Sequence, residues 1–359
     1  MERQVAGSVD PGADGAVADD LTFLSAEMEH ALEDHGSPAR RHLILAMRIG
    51  VSVVMLFILF WRMPHIDWDE LVPEWSAQTG VLLLGAALLT LVGLILSAVR
   101  WRAVLTALGH DAPLSHLISH VLAGQFVSNV LPTTIGGDVL RVSRLAKETK
   151  ESAASFASVV LERLTGWLVL PVITFVGLLV NPGLRKLGTA TQVAVAIAAG
   201  TLVALVLVLI GVASRRFGRV AGHSGWRRFA AALNVGLDRL RRHPAAAANV
   251  LLVGFAYQLV LVMAALLAAK AVGMGDGVGP TALLAFFPAV LIAQVLPISI
   301  SGLGVREGAF ILFLHPLGIR DEQAIALGLL LYLLNLVVSL LGAPAFAVGG
   351  RSSDPAAAT

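Results

Sequence analysis

Arg141 and Arg306 are cations set in otherwise apolar sequence, and each closes a short irregular stretch. The first is Leu131-Pro132-Thr133-Thr134-Ile135-Gly136-Gly137-Asp138-Val139-Leu140-Arg141, and the second is Leu296-Pro297-Ile298-Ser299-Ile300-Ser301-Gly302-Leu303-Gly304-Val305-Arg306. A guanidinium presents a planar fork suited to bidentate binding of phosphate or carboxylate. Within a membrane segment it also carries an insertion penalty of roughly 2.5–3.5 kcal/mol, so it must face a partner or a cavity. Two outcomes are open for each arginine. One is an internal ion pair, Arg141 with Asp138 or Glu162 and Arg306 with Glu307; the other is contact with an anionic ligand. Glu162 and Arg163 are a further charged pair inside an apolar run. Adjacent residues do not face each other on a helix, so they are expected to have separate partners.

The two stretches form a repeat. Aligning 130–141 with 295–306 gives six identities in twelve positions: the Val, Leu, Pro, Ile, second Gly and Arg. An amide precedes each leucine by two residues, Asn129 in one copy and Gln294 in the other. Pro132 and Pro297 each remove a backbone N–H and oppose helix continuation. Gly136, Gly137, Gly302 and Gly304 permit positive φ and close backbone approach. Such an element can turn the chain sharply and present free N–H groups to an anion. Asp138 aligns with Leu303 and Glu307 with Val142, so the acids break the symmetry of the repeat.

Composition sets the medium. Of 359 residues 57% are hydrophobic and only 14% charged, against about a quarter charged in soluble domains. The fold class is therefore an all-α polytopic membrane protein. The net charge of +2 conceals segregation: nine of 24 acids precede residue 35, and 215–242 holds eight arginines against one acid. That asymmetry speaks to membrane topology rather than to nucleic acid. The chain has no cysteine, which excludes thiolate chemistry and disulfides. His116, His120 and His315 form no convincing metal-ligand pattern, and no phosphate-binding loop, dinucleotide fingerprint or nucleophile–His–acid set is present. No cofactor or metal is expected, and no enzymatic activity.

Residues 1–40 read as a disordered to amphipathic cytoplasmic tail, 41–348 as the transmembrane domain and 349–359 as a second cytoplasmic tail. Apolar runs predict crossings at about 43–61, 79–99, 156–180, 189–212, 249–272 and 323–348. Arg100 and Arg102 are read as the cytoplasmic flank of the second crossing. A full crossing at the first irregular stretch would put Arg141, Arg144, Lys147 and Lys150 on the outer side, against the charge bias, and the second stretch is read by the same logic. Re-entrant hairpins near 114–150 and 281–318 avoid this, and broken backbone is tolerated at membrane depth where protein or a water-filled cavity surrounds it. The expectation is about six transmembrane helices plus two re-entrant helical hairpins in an inverted internal repeat, with both termini cytoplasmic. Inverted repeats with broken helices are a recurrent transporter architecture. The basic loop 213–246 is expected to be cytoplasmic, with a short amphipathic helix on anionic headgroups.

LPTTIGGDVLRVSRL, the downstream VVLERL, and LPISISGLGVREGAF resemble the transmembrane family of lysylphosphatidylglycerol synthetases over roughly residues 42–348. The resemblance implies a polytopic helical domain that handles phospholipid or a related lipid, in a bacterial cytoplasmic membrane. It carries over Pro132, Gly136, Gly137, Asp138, Arg141, Glu162, Arg163, Pro297, Gly302, Gly304, Arg306 and Glu307 as motif residues. Full-length members add a soluble aminoacyl-transfer domain, which this sequence lacks before Thr359, so synthase activity is not expected.

The leading expectation is a lipid translocase that binds anionic headgroups between the hairpins through Arg141, Arg306, Asp138, Glu307, Glu162, Arg163, Asn129 and Gln294. A membrane-protein partner or a second copy of the chain is left open. Two alternatives stand beside it. One is a non-transporting accessory subunit, docked through the basic loop and the acidic N-terminal segment. The other is a polyprenyl-phosphate-dependent transferase using the acidic stretch Asp67–Glu74.

Overall fold

The computed structural model describes residues 75–130, 136–213, 226–295 and 302–348. The two terminal tails, the crossing expected at 43–61, the Asp67–Glu74 stretch, Pro132 and Pro297 lie outside those residues. The described residues fold into helices α1 (Ala77–Ala107), α2 (Leu114–Val130), α3 (Gly136–Thr149), α4 (Ser152–Val180), α5 (Thr189–Ala213), α6 (Trp226–Arg242), α7 (Pro244–Ala271), α8 (Pro280–Val295), α9 (Val305–Leu314), α10 (Asp321–Ser339) and α11 (Gly342–Val348). Five of them, α1, α4, α5, α7 and α10, are long and apolar enough to cross a bilayer.

The repeat noted in the sequence extends to the helices. Positions 131 and 296 are 165 residues apart. The same offset carries α1 onto α7, α2 onto α8, α3 onto α9 and α4 onto α10, within four residues at every end but one: α10 stops six residues short of the counterpart of the α4 C-terminus. Both expected hairpins are packed helix pairs, α2 against α3 and α8 against α9. The halves interlock: α1 lies along α7, α8 packs on α4, and α2 packs on α10. One apolar core joins α4, α5, α7, α8, α9 and α10, with Phe286 and Phe313 stacked at 5.2 Å between ring centroids. A second joins α1, α2, α3 and the start of α4 around the fully buried Trp101.

Two expected crossings differ in the structure. The crossing placed at 79–99 continues as helix to Ala107, so Arg100 is inside the bundle rather than on its flank. The crossing placed at 323–348 ends at Ser339, and α11 follows as a separate short helix packed on α2. Gly342 makes this possible, because a Cβ there would lie 2.1 Å from the Leu122 carbonyl oxygen. Arg144 then donates to the Ala345 and Phe346 carbonyls at 3.0 Å each, satisfying groups at the end of α11 that have no helical partner.

The glycines of the two copies act differently. Gly302 and Gly304 have φ of 75° and 83°, the left-handed region anticipated for them. Gly136 and Gly137 do not; they begin α3 in the structure. Gly137 instead permits close approach of the hairpin arms, since a Cβ would sit 2.2 Å from Ser128 Oγ and 2.3 Å from the Gly124 carbonyl oxygen. Overpacking of this kind typically costs about 1–3 kcal/mol. Gly137→Ala is therefore expected to lower the thermal unfolding midpoint in detergent, whereas Gly308→Ala, with open space around it, leaves that midpoint close to wild type.

Candidate functional site

Three helices bring a chain of five charges together around Glu162. Ser97 and Arg100 are one turn apart on α1, and both reach the buried Glu162 of α4. Oε1 of Glu162 accepts from Arg100 Nε at 2.9 Å, from Arg100 Nη2, and from Ser97 Oγ at 3.4 Å. Its Oε2 accepts from Arg141 Nη1 at 3.3 Å. Arg141 also reaches Asp138 Oδ1 at 3.4 Å, one turn back on α3, and the same oxygen accepts from Arg163 Nη2 at 2.8 Å. The series runs Arg100–Glu162–Arg141–Asp138–Arg163. Glu162 and Arg163 do have separate partners, as their adjacency on α4 requires.

Three guanidiniums against two carboxylates leave this network with one excess positive charge. Two of its arginines lie over aromatic rings, Arg141 4.3 Å from the centroid of Trp101 and Arg100 4.9 Å from that of Tyr257, an arrangement that stabilises a cation in low dielectric. Trp101 is itself fixed by Nε1 donating to Ser158 Oγ at 3.0 Å.

The second copy neutralises its arginine locally. Arg306 Nε and Nη2 donate to Glu307 Oε1 at 3.1 and 2.6 Å, and Glu307 Oε2 accepts the Gly304 N–H at 2.6 Å. The N-terminus of α9, expected to offer that N–H to an anion, is thus capped by its own glutamate. Gly328 leaves the room Glu307 needs, because a Cβ there would meet the carboxylate at 3.0 Å. Leu327 stands at the position 165 residues after Glu162, so α10 offers no equivalent acid, and Arg306 instead lies 5.3 Å from the ring centroid of Tyr332.

Between the two hairpins is a cavity of about 320 Å³. Thr90, Leu94 and Arg100 line it from α1, Gln125 from α2, Arg163, Trp167 and Leu170 from α4, and Tyr257, Gln258 and Leu261 from α7. Phe287, Leu291 and Gln294 of α8, Arg306 of α9, and Leu331 and Asn335 of α10 complete it. Thr90 and Arg100 are ten residues apart on one helix, which is about 15 Å along its axis. Gln258 is 3% exposed, and its Nε2 has no hydrogen-bond partner among the described residues. A buried amide donor without a protein acceptor is uncommon, and this one borders the cavity.

Of the residues singled out in the sequence, Arg163, Arg306 and Gln294 line the cavity. Asp138, Glu162 and Glu307 stand behind it as ion-pair partners. Arg141 does not line it: it is 5% exposed and engaged with Glu162, Asp138 and Trp101. Asn129 makes a long contact with the Asn335 carbonyl at 3.5 Å, and Gln125 Nε2 donates to Asn335 Oδ1 at 3.2 Å, so the amides of α2 tie the first hairpin to α10. His116 and His120 reach across the same hairpin to Glu148, at 3.4 and 3.0 Å. His315 pairs with Asp321 at 2.8 Å.

Arg100, Tyr257, Gln258, Tyr332 and Asn335 were not anticipated. Arg100 carried the wrong signal, a cation close to the end of an apolar run. Gln258 carried a usable one as an amide within a long apolar helix. Tyr257 and Tyr332 are the two tyrosines of the chain, and each lies beneath an arginine of this site.

Fold and site define a multi-pass α-helical membrane protein with two helical hairpins around a cation-rich, largely apolar-walled cavity. The chain belongs to the lysylphosphatidylglycerol synthase TM region family, whose model matches residues 45–342 and so takes in both repeats. It is also similar to a UPF0104 membrane protein of Methanocaldococcus jannaschii, 30% identical over 127 residues. That match covers 33% of this chain and 38% of the archaeal protein.

Proposed function

We propose that the domain binds the anionic headgroup of a phospholipid or related membrane lipid in the cavity between the hairpins and carries it from one leaflet to the other. No covalent step is part of the proposal. The observation that carries it is the excess positive charge of the Arg100–Glu162–Arg141–Asp138–Arg163 network, with Arg163 at the cavity wall. Phosphate supplies the missing negative charge, and the unpartnered Gln258 Nε2 supplies one of its hydrogen bonds. Walls of Leu94, Leu170, Leu261, Phe287 and Leu291 suit the apolar part of the same molecule. The two repeats, each bringing one hairpin to the cavity, rock against each other and expose the site alternately, as in transporters built from repeated halves. The basic end, where α6 joins α7, faces the cytoplasm of a bacterial cell by the positive-inside rule.

The test is leaflet-resolved transport in proteoliposomes, comparing phosphatidylglycerol with phosphatidylcholine. The purified protein is expected to move the anionic lipid faster. Gln258→Leu, which removes a single neutral hydrogen bond worth about 0.5–1.5 kcal/mol, is expected to slow that movement about threefold to tenfold. Absence of transport for every anionic lipid tried would refute the activity.

A further inference from the structure

α4 has a second working face. Arg163, Gly166, Trp167 and Leu170 are spaced three, four and seven residues from the first, and they line the central cavity. Leu161, Leu164, Thr165 and Leu168 repeat that spacing on another face, where they line a separate groove of about 240 Å³. Its other walls are Leu205 and Leu209 of α5, Leu237, Leu240 and Arg241 of α6, and Ala247, Val250 and Leu251 of α7. The one hydroxyl in the α4 wall is internally satisfied, since Thr165 Oγ1 donates to the Leu161 and Glu162 carbonyls at 2.9 Å each. Apart from Arg241 on α6, the groove therefore presents no unsatisfied polar side chain along its length.

The last turn of α6 holds three arginines, and two have partners. Arg239 donates to the Leu108 carbonyl, and Arg242 pairs with Asp238 at 2.8 Å. Arg241 is exposed and has no hydrogen-bond or ion-pair partner among the described residues. Three of the groove's four helices, α4, α5 and α7, are candidate membrane spans, so the apolar part lies at the depth of the hydrocarbon. An occupant must be an apolar chain reaching the groove from the bilayer, with a negative group at the level of α6.

We propose that this groove is a fixed site for one anionic phospholipid, an acyl chain lying against α4 and α5 and its phosphate held by Arg241. The docked α6 is then more than an amphipathic helix resting on headgroups: it closes one side of a lipid site. The site is distinct from the transport cavity, from which α4 separates it, and does not depend on the proposed translocation.

Reconstitution in phosphatidylcholine vesicles containing a small fraction of phosphatidylglycerol with an acyl-chain diazirine tests it, with labelled peptides identified by mass spectrometry. Label is expected on 161–168 and 205–209, and unlabelled phosphatidylglycerol should compete at least tenfold better than phosphatidylcholine. Leu168→Trp and, independently, Leu209→Trp fill the groove and are expected to lower labelling at least fivefold. Arg241→Gln alters an exposed side chain, so the protein folds; labelling should persist while the headgroup preference disappears. Label spread evenly onto the exposed Val203, Val206 and Leu207 face of α5, equal competition by both lipids, or no labelling would each overturn the proposal.

Discussion

Glu162→Gln is expected to be the most damaging single substitution in the described part of the domain. Glu162 is 1% exposed and holds two buried arginines, Arg100 and Arg141, on its two oxygens. Replacing the carboxylate with an amide preserves volume but removes the charge that both guanidiniums require. The network would then contain three cations and one acid, with Asp138 too far along the series to serve Arg100. Breaking a buried ion pair by removing one partner costs about 3–5 kcal/mol, because the remaining charge is left uncompensated. Thermal unfolding in detergent should show a large fall in midpoint. Glu162→Gln combined with Arg100→Gln should recover part of that loss, since groups in one network couple by about 0.5–3 kcal/mol. If the single variant melts like wild type, the network does not stabilise the fold as described here.

The sequence exposed the repeat well because both copies had to solve one physical problem, a helix break beside an arginine at membrane depth. Proline, glycine and arginine are conspicuous in apolar sequence, and they marked the two hairpins; the extension of the same offset to four pairs of helices appears only in the structure. What it concealed is how each arginine is neutralised. Asp138, Glu162 and Glu307 were all visible as acids, but only tertiary packing assigns Glu162 to two arginines on different helices and leaves Glu307 beside its neighbour. Charge near the end of an apolar run also has two meanings. Arg102 is exposed at the end of α1, whereas Arg100, two residues earlier, faces inward and meets Glu162. The glycine pairs illustrate the same limit: both were legible as breaks, yet Gly302 and Gly304 use backbone freedom and Gly137 uses only the absence of a side chain. The split of the last crossing was likewise hidden, because it depends on the Gly342 contact with Leu122.

Arg163→Gln should separate function from folding. Its side chain is 54% exposed and lines the cavity, in contrast to Arg141 at 6%. Losing it removes one cation without stranding a buried acid, because Asp138 keeps Arg141 within 3.4 Å. The five-charge series then falls from one excess positive charge to none. A hydrogen bond to a charged group contributes about 1.5–3 kcal/mol, so binding of an anionic headgroup should weaken about tenfold to a hundredfold while the unfolding midpoint stays near wild type. Arg163→Lys keeps the charge but loses the planar fork, and should fall between the two. Arg141→Gln provides the opposite pattern, because that arginine neutralises Glu162 and does not reach the cavity: stability should fall first, with transport lost only as folded protein is lost. Headgroup affinity unchanged in Arg163→Gln, with Arg141→Gln fully stable, would reverse the roles assigned to the two arginines and move the binding site toward the first hairpin.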